Sequence, residues 1–177
     1  MPAVDIRILP LLKGAAAAEG LTVIIDVFRA FSVACFIFNN GAERLYPVSS
    51  LEQAFALRKR NSEFILIGER GGKKPEGFDF GNSAAEVETV DFRQKRVIQA
   101  TGSGTKGIIA ASNAAQIITG SFVNLKAVVQ YILDAREKRI TLVPMGISGL
   151  QESDEDNFCA GMLKNLLLGK RENFVRI

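Results

Sequence analysis

Apolar residues fall along the chain in short β-branched runs separated by stretches of helical period, and this alternation predicts the fold. Residues 4–9 form a first strand, ended by Pro10. The run Thr22-Val23-Ile24-Ile25-Asp26-Val27 has the pattern of a strand buried on both faces. Segments 43–48, 64–68, 95–100, 116–119 and 140–144 supply the remaining strands. Between them the spacing predicts helices over about 30–39, 50–60, 107–115, 124–137 and 154–168, and a small alanine-rich connection over 13–20. Asn40-Gly41 carries a left-handed stop signal. Ser50-Leu51-Glu52-Gln53 and Ser83-Ala84-Ala85-Glu86 have capping-box spacing, and Asn124 is placed as an N-cap. Strands that alternate with helices predict one α/β domain over residues 1–177, a three-layer α/β/α arrangement with a largely parallel or mixed sheet.

In such a fold the chemistry collects where strands end. The longest strand-to-helix connection is 68–83, which holds five glycines, Glu69 beside Arg70, Lys73-Lys74, and the group Asp79, Asn82 and Ser83. A loop of this length is long for an α/β unit and is expected to serve function. Asp26 and Arg29 close the strand at 22–27, and Glu155-Asp156 open the last helix, where the dipole alone favours acids. Three acidic sites that each follow a strand could converge on one oxygen-coordinated cation.

Composition then removes mechanisms. The chain has no histidine, which excludes imidazole acid–base catalysis, phosphohistidine chemistry and imidazole metal ligation. A metal here would be held by oxygen, which favours Mg²⁺ over Zn²⁺. Cys35 and Cys159 form no Cys-x-x-Cys pair, and neither is followed by arginine six residues on, so cysteine phosphatase chemistry is out. Both are expected to be small buried hydrophobes. The net charge of +3 comes from scattered basic residues and does not by itself choose between a small anion and a nucleic acid. No apolar run approaches the ~20 residues of a bilayer span. The first residues show neither a basic nor an apolar leader segment, so the expected location is cytoplasmic.

Gly102-Ser103-Gly104-Thr105-Lys106-Gly107 matches the dinucleotide fingerprint between a strand and a helix, yet no acid occurs from Phe92 to Leu133 to hold a ribose. The same stretch lacks the Lys-[Ser/Thr] of a P-loop. What survives is an anion-holding turn built from Thr101, Gly102, Ser103, Gly104 and Thr105. In Asp26-Val27-Phe28-Arg29, Phe28 stands where a haloacid-dehalogenase-type phosphatase needs a second acid.

Five segments resemble the 2-phosphosulfolactate phosphatase family of coenzyme M biosynthesis. They are Ile25-Asp26-Val27-Phe28-Arg29-Ala30, Gly68-Glu69-Arg70-Gly71-Gly72, Gly77-Phe78-Asp79-Phe80-Gly81-Asn82-Ser83, the stretch 101–105, and Glu155-Asp156-Asn157-Phe158-Cys159-Ala160-Gly161, and they occur in family order. The resemblance implies a Mg²⁺-dependent phosphoric monoester hydrolase, C-terminally shorter than typical members. Its substrate would be 2-phosphosulfolactate or a related small anionic phosphate ester. On that basis Asp26, Glu69, Arg70 and Asp79 are the expected catalytic groups. Arg29, Asn82, Ser83, Thr101, Gly102, Ser103, Gly104 and Thr105 are expected to bind phosphate or substrate, and Asp26, Glu69 and Asp156 to hold Mg²⁺. No nucleic-acid or membrane partner is expected, and a homo-oligomer is compatible with the sequence. Two readings stand beside this one: a non-catalytic binder of a small phosphate or sulfonate, and, more distantly, a nucleotide-binding α/β protein.

Overall fold

The computed structural model describes residues 4–170. Its seven strands lie in two wholly parallel sheets. The first holds β1 (Asp5–Ile8), β7 (Arg139–Pro144), β2 (Gly20–Ile25) and β6 (Ala114–Gly120), in that spatial order. The second holds β3 (Arg44–Val48), β5 (Arg96–Ala100) and β4 (Ile65–Gly68). Leu21, Val23, Ile24 and Ile25 are fully buried, as the unbroken apolar run predicts for a central strand. β2 is flanked by β7 and β6, in register so that Ile25 lies opposite both Pro144 and Gly120. In the second sheet Ala100 lies opposite both Val48 and Gly68. The ends of β2, β6 and β7 are therefore flush, as are those of β3, β4 and β5, and the residues that follow them emerge along one edge of each sheet.

Helices cover both faces of each sheet. Leu125, Val128 and Ile132 of α6 (Leu125–Ala135) and Met162 and Leu163 of α7 (Asp154–Leu167) pack on one face of the first sheet. α1 (Leu11–Ala16), α5 (Gly104–Ala110) and the start of α2 (Ala30–Asn39) cover the other. This is the three-layer order expected from strand–helix alternation. Further along α2, Val33 and Ile37 join the apolar cluster of the second sheet with Ile67, Val97, Phe92 and Val87 of α4 (Ala84–Val87). α3 (Leu51–Arg60) closes that sheet's far side through Ala54. α2 is thus shared, and Gln99 of β5 donates from Nε2 to Ala30 O (2.9 Å), tying the second sheet to its first turn. Among the described residues no helix is long and apolar enough to cross a membrane.

Several local expectations shift. α5 begins at Gly104, three residues early, and β6 starts at Ala114 where helix was expected. The cause lies in a reciprocal pair: Thr101 N–H donates to Thr105 Oγ1 (3.0 Å), and Thr105 N–H to Thr101 Oγ1 (3.2 Å). Asn124 holds the N-cap position of α6, as expected, but its side chain makes no cap; its Oδ1 takes Ser121 N–H (2.8 Å) and its Nδ2 donates to Thr119 O (2.9 Å). Ser83 makes no side-chain cap either, because Glu86 reaches past it to Gly81 N–H (2.7 Å).

Candidate active site

The loop 69–83 divides into two parts. Its second half folds back along β4, where Asp79 N–H and Phe80 N–H donate to Leu66 O and Gly68 N–H donates to Phe80 O. Phe78 is buried against the α3 side and Phe80 packs against Phe92 on the other. This half is apolar cover. The first half makes a tight two-residue turn in which Arg70 and Lys73 exchange backbone hydrogen bonds (3.0 and 3.2 Å). Gly71 and Gly72 sit at φ 59° and 77°, the doubly left-handed conformation that a type I′ turn demands and that glycine adopts without strain.

Beside this turn opens a cleft of about 250 Å³, at the strand ends of both sheets. Asp26 enters from β2, Glu69 and Asn82 from the two ends of the long loop, Gly102 and Ser103 from β5, and Gly146 from β7. Glu155 and Asp156 enter from the first turn of α7. The three acids expected to share a site do share one.

Each of the three braces loops through both of its oxygens. Asp26 accepts from Ala30 N–H (3.0 Å) and Gly104 N–H (2.8 Å). Asp156 accepts from Val27 N–H and Gly146 N–H (2.8 Å each). Glu69 accepts from Gly72 N–H (2.8 Å) and Gly102 N–H. Carboxylates that accept backbone N–H groups make strong, charge-assisted bonds. Here they sew five segments of chain into one rim.

The remaining predicted residues divide between cleft and scaffold. Arg29 lines the cleft, is exposed, and is the one basic side chain among its lining residues. Asn82 lines it too, is only 6% exposed, and its Oδ1 has no hydrogen-bond partner. Arg70 does not face the cleft; its guanidinium donates to Ser49 O (3.1 Å) and Glu69 O (2.8 Å). Asp79 is drawn to Arg58 of α3 and to Leu66 N–H (2.8 Å), outside the cleft. Ser83 is likewise outside it. The expected anion-holding turn 101–105 is largely engaged already. Gly102 and Gly104 donate to Glu69 and Asp26, Thr101 and Thr105 to each other, and Ser103 Oγ to Gly146 O (2.6 Å). Its geometry braces carboxylates where a free anion was expected.

The cleft wall also contains Phe28, Ile147, Ser148 and Glu155, which the motif reading left aside. The available signal was positional, since the segment 145–149 follows a buried strand as the other cleft loops do. A larger groove of about 1040 Å³ between α6 and α7 is lined mainly by apolar groups such as Phe122, Val123, Phe158 and Met162. Its chemistry does not suit a phosphate, and size alone does not choose the site.

Four acids against one arginine leave the cleft strongly negative. Among the described residues none of the four is in an ion pair. Burial pushes the Asp26 carboxyl up to about 7, against the pull of the Ala30 and Gly104 N–H groups, and the neighbouring charges of Asp156 and Glu69 add to the rise. Burial likewise raises Asp156, opposed by the Val27 and Gly146 N–H groups and reinforced by the Glu155 charge. This is the field that a cation relieves. Yet among the described residues no three acids stand close enough to cage an ion. The donor set, all oxygen, suits an open Mg²⁺ site better than a Zn²⁺ site. Such an ion keeps several waters and takes one or two protein oxygens plus the ligand's own.

Two parallel sheets whose strand-end loops enclose a small acidic cleft define an α/β protein with a candidate small-ligand site at its strand ends. The model of the 2-phosphosulpholactate phosphatase family matches residues 8–175, and the chain belongs to that family. A probable 2-phosphosulfolactate phosphatase of Carboxydothermus hydrogenoformans is 39% identical over 156 residues, 88% of this chain and 64% of the relative. One from Prochlorococcus marinus is 37% identical over 162 residues (88% and 65%), and one from Thermotoga petrophila 39% over 139 residues (78% and 59%). The chain thus spans somewhat less than two thirds of the length of these relatives.

Proposed function

We propose that this protein hydrolyses a small, multiply anionic phosphate monoester, 2-phosphosulfolactate or a close analogue, to the hydroxy acid and phosphate with the help of Mg²⁺. The observation that carries this reading is the convergence of Asp26, Glu69 and Asp156 with Arg29 on one cleft. Family membership and the names of the relatives support the substrate class. A volume of about 250 Å³ lies below the ~300–1,000 Å³ typical of drug-sized sites, which suits a small phospho-acid.

Phosphoryl transfer needs little covalent chemistry from the protein, so catalysis rests on positioning and charge neutralisation. Arg29, free of any partner, is the group that grips phosphate oxygens through its planar fork. The carboxylates of Asp26, Glu69 and Asp156 hold the loops at fixed distance and supply the negative field that retains Mg²⁺. When bound, that ion would neutralise phosphoryl charge and activate water. Phe28 and Ile147 flank the cleft with apolar surface and limit solvent around the ester.

Phosphate release from 2-phosphosulfolactate, measured with Mg²⁺ and with EDTA, tests the proposal; Arg29→Ala should lower kcat/KM by about 100-fold, the scale of losing one charge-stabilising donor. Absence of metal-dependent turnover on this ester and on other phospho-hydroxy acids would sink it. A second reading, binding without hydrolysis, is favoured by the absence, among the described residues, of three acids close enough to cage an ion. It predicts that phosphate or sulfolactate raises the melting temperature while no ester is turned over.

A further inference from the structure

A sheet edge presents a row of unpaired N–H and C=O groups, and native proteins shorten, charge or cover such edges, or place proline on them. Three of the four edges here are treated in that way. β1 has four residues, and two of them, Asp5 and Arg7, are charged. β3 carries Arg44 and Pro47. β4 has four residues, and the returning loop covers it where Phe80 bridges Ile67. β6 is the exception. It is the longest strand among the described residues, with seven, and Ala114-Ala115-Gln116-Ile117-Ile118-Thr119-Gly120 holds no charge and no proline. Thr119 O accepts from Asn124 Nδ2 (2.9 Å), but among the described residues no strand or returning loop pairs with the outer edge. Beside it a groove of about 400 Å³ runs between Ile117 and Ile118 of the strand and Ala127 and Tyr131 of α6, the latter two exposed.

We propose that β6 pairs antiparallel with β6 of a second copy of this chain, about a two-fold axis near Gln116 and Ile117, so that the two first sheets become one. A two-fold perpendicular to the sheet sets an edge strand antiparallel to itself and brings the residues near the axis against their own copies. A charge there would meet its own sign, which destabilises a cross-strand pair. From Gly107 to Leu125 the chain has no charged residue, so the strand and its approaches are neutral where self-contact demands it. A charged partner would find nothing on this edge to pair with. Ile117, Ile118 and Thr119 are β-branched, the type that suits strand pairing. The same axis keeps both α6 helices on one face of the joined sheet, where Ala127 and Tyr131 close the groove against the second copy. None of the strand's residues lines the acidic cleft, so both clefts stay open in the pair.

Sedimentation velocity of the whole protein at tens of micromolar should show a reversible dimer. Gln116 is exposed and donates to Tyr131 OH at the surface, so replacing it spares the core. Gln116→Lys and Gln116→Glu each set like charges near the axis and should weaken the dimer at least tenfold, while circular dichroism stays that of wild type. Mixing the two variants sets opposite charges there and should restore a one-to-one dimer, a recovery that a local effect on the strand would not give. Hydrogen exchange reads the backbone directly: the outward amides of residues 115–119 should be protected in the dimer and lose that protection on dilution. A wild-type monomer at these concentrations, a dimer that survives both single charges, variants that fail to recover on mixing, or exchange at β6 unchanged by dilution overturns the proposal.

Discussion

Asp26 offers the sharpest quantitative test, because its two states oppose each other in sign. Its carboxyl lies at about 7 in the folded protein against 3.8 in the unfolded chain. Between these values the native state keeps a proton that the unfolded state releases. Stability is therefore fullest below about pH 4, falls as pH rises through the interval, and has lost this contribution above pH 7. At 1.36 kcal/mol per pK unit, the loss is about 4 kcal/mol. Replacing Asp26 by Asn removes the titration but also places an NH₂ against one of the two N–H donors, from Ala30 and Gly104. Leaving one buried donor unpaired costs about 1–3 kcal/mol. Asp26→Asn should then be less stable than wild type at pH 4 and more stable at pH 8, with the curves crossing between about pH 4.5 and 6, where wild type has lost the same amount. Urea denaturation across pH 4–8, in EDTA so that no cation compensates the charge, measures both. Asp156 and other acids titrate in both proteins, so the difference curve reports Asp26 together with its coupling to Asp156 and Glu69. A stability difference that stays constant across this range would refute the reasoning.

Gly104→Ala should destabilise by ~1–3 kcal/mol, as overpacking does, since its Cβ would lie 2.8 Å from Asp26 Oδ2 and 3.0 Å from both Ala30 Cβ and the Phe31 ring; chemical denaturation gives the value. Asp79→Ala removes acceptors for Arg58 and Leu66 N–H and should cost about 1–3 kcal/mol, while kcat/KM on the phosphate ester stays at the wild-type level because Asp79 lies outside the cleft. The Cys159 thiol is pushed up to about 12 by burial, with the Asp156 charge adding to the rise. A thiol reagent at pH 8 should leave Cys159 unmodified in the native protein and modify it only in denaturant, as mass spectrometry of the labelled peptide would show.

The strand pattern was legible because burial acts on residue type: β-branched apolar runs end where the flush sheet edges lie, and Asp26, Glu69 and the 101–105 turn follow those edges. That logic brought Asp26, Glu69 and the Glu155-Asp156 pair toward one cleft from their positions after strands, and the choice of Asp156 came with the family resemblance. It could not say where their oxygens point. The partners are backbone N–H groups, which every non-proline residue carries, at separations of 129 residues for Val27 and Asp156, 78 for Gly104 and Asp26, and 33 for Gly102 and Glu69. A donor of that kind leaves no mark on composition, so a brace and a ligand look alike in sequence. Arg70 and Asp79 misled for a related reason. Both sit beside cleft residues in the chain, yet Ser49 O and Arg58, which arrive from β3 and α3, draw them away. The division between Glu155 and Asp156 is the finest case. Two adjacent acids at a helix start are equivalent to the dipole, and only the rotation of α7 against β2 and β7 makes Asp156 a clamp on the rim and leaves Glu155 at the cleft surface.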